Sequence, residues 1–176
     1  MSLEPSDPAA VPPPSSEVLR DPAHRVCPRA VGYWRTKALL GALAEIAAAG
    51  VLFLVLPEWP WWATVLVAVL VVVNGVYTFV VPGLRYRVHR WEVTPQAVHT
   101  RSGWLSLETR IAPLNRVQTV ESHQGALMRR YRLASLTVTT ASAAGPITIE
   151  GLDAEEARTL VAQLTAITGA SEGDAT

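Results

Sequence analysis

Two long apolar runs, separated by the four residues PEWP, constrain this chain more than any other feature. The runs cover about 38–56 and 61–81. At about 1.5 Å of rise per residue, each run makes a helix of roughly 28 to 32 Å, which matches a hydrocarbon core of about 30 Å. Buried helices of a soluble core are the alternative, but such helices need a polar face, and neither run has one. The sequence therefore predicts a transmembrane hairpin over 33–83.

Two polar side chains, Glu45 and Asn74, lie within these runs. A carboxylate at a helix centre costs roughly 2.5 to 3.5 kcal/mol on insertion, but each Leu, Ile, Val or Phe returns about 0.3 to 0.6 kcal/mol, so insertion stays favourable. In a hairpin the two side chains reach similar depth and are placed to hydrogen-bond, so a packing contact, within the hairpin or between protomers, is the favoured interpretation. Use of this intramembrane pair as a relay in a transporter subunit is the least favoured function, because the hairpin offers too few other polar groups.

The residues that flank the runs predict the orientation of the chain. Arg and Lys lie before the first run and after the second, whereas PEWP contains neither, so the positive-inside rule places both termini in the cytoplasm. This arrangement predicts a multi-pass protein of the cell membrane, with an inner aromatic belt formed by Tyr33, Trp34, Tyr77 and Tyr86. The proline-rich residues 1–32 have few large apolar side chains and are predicted to form a disordered cytoplasmic tail.

Residues 84–169 change to short segments separated by turn signals, which indicates a separate cytoplasmic domain. Strands are predicted over 85–93, 97–101, 104–111, 116–121 and 133–140, followed by a strand at Ile147 and Ile149, with a short helical turn over 125–131. A bulge is expected between Val117 and Val120. In the third strand the alternation predicts that one face is buried, formed by Leu105, Leu107, Thr109 and Ile111.

The last predicted element is an amphipathic helix that begins at Asp153. Asp153 is suited to cap the helix, and Glu156 occupies the capping-box position three residues later. Gly169 is placed to end the helix, and residues 170–176 are predicted to form a frayed polar tail.

The motifs of the domain occur in an order that resembles the YdbS-like family of bacterial membrane proteins with a bacterial pleckstrin-homology domain (bPH2). The matching segments are RYRVHRWEVTPQAVHTRSGWL, PLNRVQTVE, GALMRRYRLASLTV and ITIEGLDAEEA. The resemblance implies a membrane-anchored α+β protein, in which a PH-like antiparallel β-barrel or sandwich follows the transmembrane hairpin and is capped by a C-terminal α-helix. It also implies membership of a membrane complex, with larger bPH2 proteins among the partners.

The sequence carries no pattern typical of catalysis. None of its four histidines has a partner at metal-ligand spacing, and motifs such as G-x-S-x-G and H-E-x-x-H are missing. We therefore predict no catalytic residue, no metal and no cofactor. The 15 basic and 15 acidic residues are unevenly placed, but no segment is a polyelectrolyte, so no nucleic-acid partner is expected.

The predicted function is that of a non-enzymatic integral membrane protein whose cytoplasmic domain binds protein partners or copies of itself. The alternative is a domain at the membrane surface that senses anionic lipids, since each nearby cation contributes about 1 kcal/mol of attraction. The candidate residues for contact with lipid or partner are Arg129, Arg130, Arg132, Arg85 and Arg87.

Overall fold

The computed structural model describes residues 20–56, 58–141 and 145–173. Two long helices are followed by a domain of short strands with two further helices. A 3-10 turn over Leu114–Arg116 joins two of the strands. In chain order, the elements are β1 (His24–Arg25), α1 (Arg29–Val55), α2 (Trp61–Val88), β2 (Arg90–Val93), β3 (Ala97–Gly103), β4 (Leu107–Pro113), β5 (Val117–His123), α3 (Ala126–Arg130), β6 (Leu133–Thr140), β7 (Ile147–Asp153) and α4 (Ala154–Gly173).

Helices α1 and α2 cover both predicted spans and pack side by side. Both are long and apolar enough to cross a membrane. Most of their large apolar side chains face outwards, and Leu54, for example, is 82% exposed in the isolated chain. The alternative of buried helices in a soluble core is therefore wrong, because so large an apolar surface needs lipid around it.

The strands form two antiparallel sheets, with the orders β1-β2-β3-β4 and β5-β6-β7. Side chains of both sheets meet α4 in a common core, which includes Val98, Leu136, Leu152, Ala157 and Leu164. The expected bulge is confirmed by a register shift between Val117 and Thr119. Among the described strands β4 pairs with β3 alone, so the sheets remain open and the closed form of the predicted barrel is not observed.

The helix α4 begins as predicted but ends later. The carboxylate of Asp153 accepts a hydrogen bond of 2.9 Å from the backbone N–H of Glu155, which confirms the cap. Helical structure continues past Gly169 to Gly173, so the predicted tail over 170–176 is helical in its first part. Residues 174–176 lie outside the described residues.

The strand predicted over 85–93 is wrong in its first half. Helix α2 continues through Pro82 to Val88, and β2 comprises only Arg90–Val93. A proline removes one backbone hydrogen bond and often marks a helix end. Here the final turn is instead held by Arg85, which forms an ion pair of 2.8 Å with Glu150 of β7.

The predicted burial of the face around β4 is also wrong. Leu105, Leu107, Thr109 and Ile111 are all exposed, whereas Ala112 is buried opposite Val98. Alternation correctly predicts that β4 has two faces, but the apolar face points outwards because the register of β3 and β4 directs Val98 and Ala112 into the core.

Residues 20–32 contact the domain, so the predicted disordered tail over 1–32 is wrong for this part; residues 1–19 lie outside the described residues. His24 and Arg25 pair with β2. The backbone N–H of Cys27 donates a hydrogen bond of 2.9 Å to the carbonyl of Gly151. The first turns of α1 continue this contact, and Ala30 is completely buried in the core of the domain.

Tyr33 and Trp34 are likewise buried in the domain core rather than placed in an aromatic belt. The boundary predicted between a hairpin over 33–83 and a domain over 84–169 therefore changes. The domain is built from both sheets, α3, α4 and the first part of α1, so the long helix is a component of the domain as well as its anchor.

The close approach of α1 to β7 predicts a large cost for a methyl group at Gly151. Gly151 has a φ of +81°, and an added Cβ would lie 2.8 Å from the Cβ of Ala30. Gly145, with a φ of +78°, has open space around it and is the matched control. The positive φ costs both alanine variants about 1 to 2 kcal/mol. Overpacking adds about 1 to 3 kcal/mol at Gly151 alone.

We expect thermal unfolding of the protein in detergent to show the difference. Gly151→Ala should unfold at a temperature at least about 2–4 °C below that of Gly145→Ala. Equal unfolding temperatures for the two variants would show that α1 does not pack tightly on β7.

Candidate functional site

A polar and aromatic cluster connects the two long helices to the domain. The guanidinium carbon of Arg85 lies 4.7 Å from the centroid of the Trp34 ring, which is a favourable cation–π distance. The same side chain forms the ion pair with Glu150. The Trp34 ring also contacts the His89 ring edge-on, with 5.3 Å between centroids. Arg85, predicted as a lipid or partner contact, is therefore engaged in contacts within the protein.

The hydrogen bonds of His89 specify a neutral ring. Its Nε2 atom accepts a hydrogen bond of 3.4 Å from the Nε–H group of Arg85, so Nδ1 carries the proton and faces the carbonyl of Arg85 at 3.0 Å. Burial, followed by the positive charge of Arg85, lowers the pKa of His89 below its ordinary value of 6.5. The arrangement is suited to structural support and would be disturbed by a proton on Nε2.

This cluster predicts that the contact between the two long helices and the domain loses stability in acid. Since the folded state holds a proton on His89 less tightly than the unfolded state, the stability contribution of neutral His89 is complete above the ordinary pKa. It declines as pH falls through that value towards the lower folded pKa. The unfolding temperature of the wild type should therefore fall more between pH 7.5 and 5.5 than that of His89→Gln. The extra fall should be about 2–4 °C for each kcal/mol of unfolding free energy that neutral His89 contributes.

The matched control is His123→Gln, because His123 is exposed. It should keep the pH dependence of the wild type. Identical pH profiles for the wild type and His89→Gln would contradict the assignment.

The helix α3 lies beside the part of α1 that precedes the first span. The hydroxyl of Tyr131 lies 2.7 Å from Oγ1 of Thr36, and its ring packs against Gly32 and edge-on against Tyr33. Arg129 and Arg130 immediately precede Tyr131 and are exposed. These predicted contact residues are therefore brought close to the membrane end of the domain.

The other predicted basic residues have different surroundings. Arg129 and Arg132 line a cleft of about 460 Å³ together with Arg29 and Arg158. Its two acidic side chains are ion-paired with these last two arginines, Asp153 with Arg29 and Glu155 with Arg158, so the cleft keeps a net positive charge. Arg132 has a φ of +53°, and its carbonyl accepts a hydrogen bond of 3.1 Å from the backbone N–H of Ala154. The backbone of Arg132 thus connects α3 to the start of α4. Arg87 is exposed on the last turn of α2.

Glu45 and Asn74 meet between the two long helices. The Nδ2 atom of Asn74 donates a hydrogen bond of 2.8 Å to Oε2 of Glu45 and another of 3.1 Å to the carbonyl of Leu70. The geometry is that of a packing contact between neighbouring helices. A role of this pair in transport stays a prediction.

The open edge of β4 is a feature that the sequence did not reveal. A cleft of about 540 Å³ lies between β4 and the ends of β6 and β7, and its lining includes Ile111, Arg116, Thr140 and Ile147. Arg110 crosses it, with hydrogen bonds of 2.6 Å to Glu108 and 3.2 Å to the carbonyl of Pro146. The alternation of apolar residues along β4 was the available signal, but it does not show that their shared face points away from the core.

The described ranges contain no group of three or more His, Cys, Asp or Glu side chains that could hold a metal ion.

The comparisons with known proteins agree on one family. The model for the bacterial PH domain matches residues 38–168, which includes α1 from residue 38 onwards, all of α2 and the strands β2 to β7. The UPF0699 transmembrane protein YdbS of Bacillus subtilis (strain 168) is 30% identical over 152 residues, covering 84% of this chain and 95% of that protein. No solved structure matches the chain. Together with the exposed apolar helices, these matches show that the chain is a membrane protein that belongs to the bacterial PH domain family.

Proposed function

We propose that this protein is a non-enzymatic, multi-pass membrane protein that holds a PH-like interaction domain at the cytoplasmic face and recruits a protein partner there. The proposal is carried by one observation, the open edge of β4 beside exposed apolar side chains. Membrane lipids surround the two spans, and the domain provides the surface for the partner.

The proposed orientation follows from the positions of the basic side chains. Arg35 and Lys37 are exposed on α1 where it leaves the span, and Arg87 is exposed at the corresponding end of α2. The described residues of the loop at the opposite end, Glu58, Trp59 and Pro60, include no basic side chain. The positive-inside rule therefore places the domain and both termini in the cytoplasm.

The edge of β4 is suited to bind an extended segment of another protein. An unpaired strand edge presents N–H and C=O groups that a further strand can satisfy, and natural proteins usually cover or interrupt such edges. Ile111 is 41% exposed on the outer face of this strand. A partner strand along the later part of β4 would cover Ile111 and pair with the free backbone groups of the edge there.

The direction of β4 argues against pairing with the β4 edge of a second copy. Strand β3 runs from the core, where Val98 is buried, to a turn whose Trp104 contacts Tyr77 of α2. Strand β4 then returns from this turn to the core, where Ala112 is buried. In copies that share one membrane, both turns must point towards that membrane, whereas antiparallel pairing of the two edges requires opposite directions. The geometry therefore favours a different protein, such as a larger bPH2 protein, as the partner at this edge.

Contact with anionic lipid is the second candidate function. The bond between Tyr131 and Thr36 brings Arg129 and Arg130 to the level of Arg35 and Lys37, close to the start of the span. Cations at this level attract anionic headgroups, each by about 1 kcal/mol. The cleft beside Arg129 has two acidic side chains among four arginines, so its net charge is also positive.

One experiment separates the two candidates. A photo-cross-linking amino acid replaces Ile111 or Arg130 in the full-length protein, which is illuminated in native membranes, with exposed Gln163 of α4 as the control position. The partner proposal predicts a discrete protein adduct from position 111, at a yield at least fivefold above that from position 163. Lipid-mass adducts at position 130 with no protein adduct at position 111 would favour the lipid candidate and contradict the partner proposal.

A further inference from the structure

The turn between β3 and β4 presents the most exposed apolar side chain of the domain. It consists of Trp104, Leu105 and Ser106. Leu105 is 85% exposed and Trp104 is 45% exposed, and Leu107, the first residue of β4, adds a third apolar side chain. We refer to Trp104, Leu105, Ser106 and Leu107 as the tip. Exposed apolar side chains concentrated at one end of a hairpin indicate a contact surface.

The backbone of the tip has a defined conformation. Gly103 pairs with Leu107 at the end of the hairpin and has a φ of +120°. An added Cβ at Gly103 would lie 1.8 Å from the carbonyl oxygen of Ser106, so this tight turn requires glycine. The tip therefore projects its side chains in a fixed direction.

That direction is towards the transmembrane segment. The rings of Trp104 and Tyr77 meet edge-on, with 6.1 Å between their centroids. The helix rises about 30 Å from Trp61 to Val81, which is the thickness of the hydrocarbon core. Tyr77 precedes Val81 by four residues, so its backbone lies about 6 Å inside that boundary. Trp104, in contact with Tyr77, is at the level where headgroups meet hydrocarbon.

We propose that the tip enters the membrane leaflet next to the domain and forms a third contact with the bilayer, in addition to α1 and α2. Trp104 occupies the interface, where tryptophan is favoured, and Leu105 extends among the acyl chains. Hydrogen-bonding and charged groups begin directly behind the tip, with Ser102 opposite Glu108 and Arg101 paired with Asp21. This order from apolar to charged residues matches the order from acyl chain to headgroup.

The inference does not depend on the proposed partner or on which side of the membrane the domain occupies. It requires only that α2 crosses the membrane and that the hairpin keeps its contact with α2. A second copy of the chain that covers the tip is the competing explanation for its exposed apolar side chains.

The test measures the depth of single positions in the full-length protein. In a Cys27→Ser background, Leu105→Cys and Thr109→Cys are each labelled with an environment-sensitive fluorophore and reconstituted into vesicles of phosphatidylglycerol and phosphatidylethanolamine. Thr109, exposed on β4 beyond the tip, is the matched aqueous control. Val69→Cys, exposed in the middle of α2, is the control for the bilayer interior. Because Leu105 is almost fully exposed, its replacement leaves the core intact.

We expect iodide in the buffer to quench the label at position 105 at least fivefold less than the label at position 109. Lipids with a quencher near the headgroup should quench position 105 strongly, and lipids with a quencher deep in the chain should preferentially quench position 69. Equal iodide quenching at positions 105 and 109 would overturn the proposal. Protection of position 105 from both iodide and lipid quenchers would also overturn it, because a protein surface would then cover the tip.

Discussion

The packing of α1 against β7 is the contact on which the rest of the structure depends. Ala30 is fully buried, and the space beside it is so limited that the residue facing it must be glycine. The backbone bond from Cys27 to Gly151 and the burial of Tyr33 and Trp34 extend this contact. Since α1 continues without interruption into the first span, the helix that anchors the domain also completes its core.

This shared helix determines the orientation of the domain towards the bilayer. Trp34 is covered by Arg85 near the end of α2, and Arg85 in turn is paired with Glu150, so both long helices are tied to the same strand. A domain attached at one point by a flexible linker would sample many orientations. Here the attachment fixes which surfaces face the lipid and which face the cytoplasm in the proposed orientation. In that orientation we propose that the tip contacts the membrane, and that the edge of β4, which pairs only with β3 among the described strands, binds the partner.

Much of the fold could be predicted from the sequence because its physical signals are local. Long apolar runs predict the spans, alternation and turn signals together predict the strands after residue 96, and Asp153 predicts the start of α4. The hydrogen bond between Glu45 and Asn74 is expected from their equal depth in a hairpin and is present. Each of these conclusions needs only the spacing of residues along the chain.

The remaining features depend on contacts between distant segments, which spacing does not encode. Tyr33 and Trp34 have the composition of an aromatic belt, but packing against the domain buries them. Pro82 is a typical stop signal, but contacts of Arg85 extend α2 beyond it. The outward face of β4 is set by its pairing with β3, and residues 20–32 are ordered because β2 and β7 offer them unpaired backbone groups. The candidate surfaces arise from these non-local contacts.

Hydrogen exchange of the full-length protein in lipid nanodiscs tests the central claim most directly. The measurement compares backbone amides over 26–34 with those of β6 and β7. If the start of α1 is part of the domain core, both sets should exchange slowly and lose protection together when the domain is destabilised. Rapid exchange over 26–34, with β6 and β7 still protected, would show that α1 is only a tether and would contradict the account.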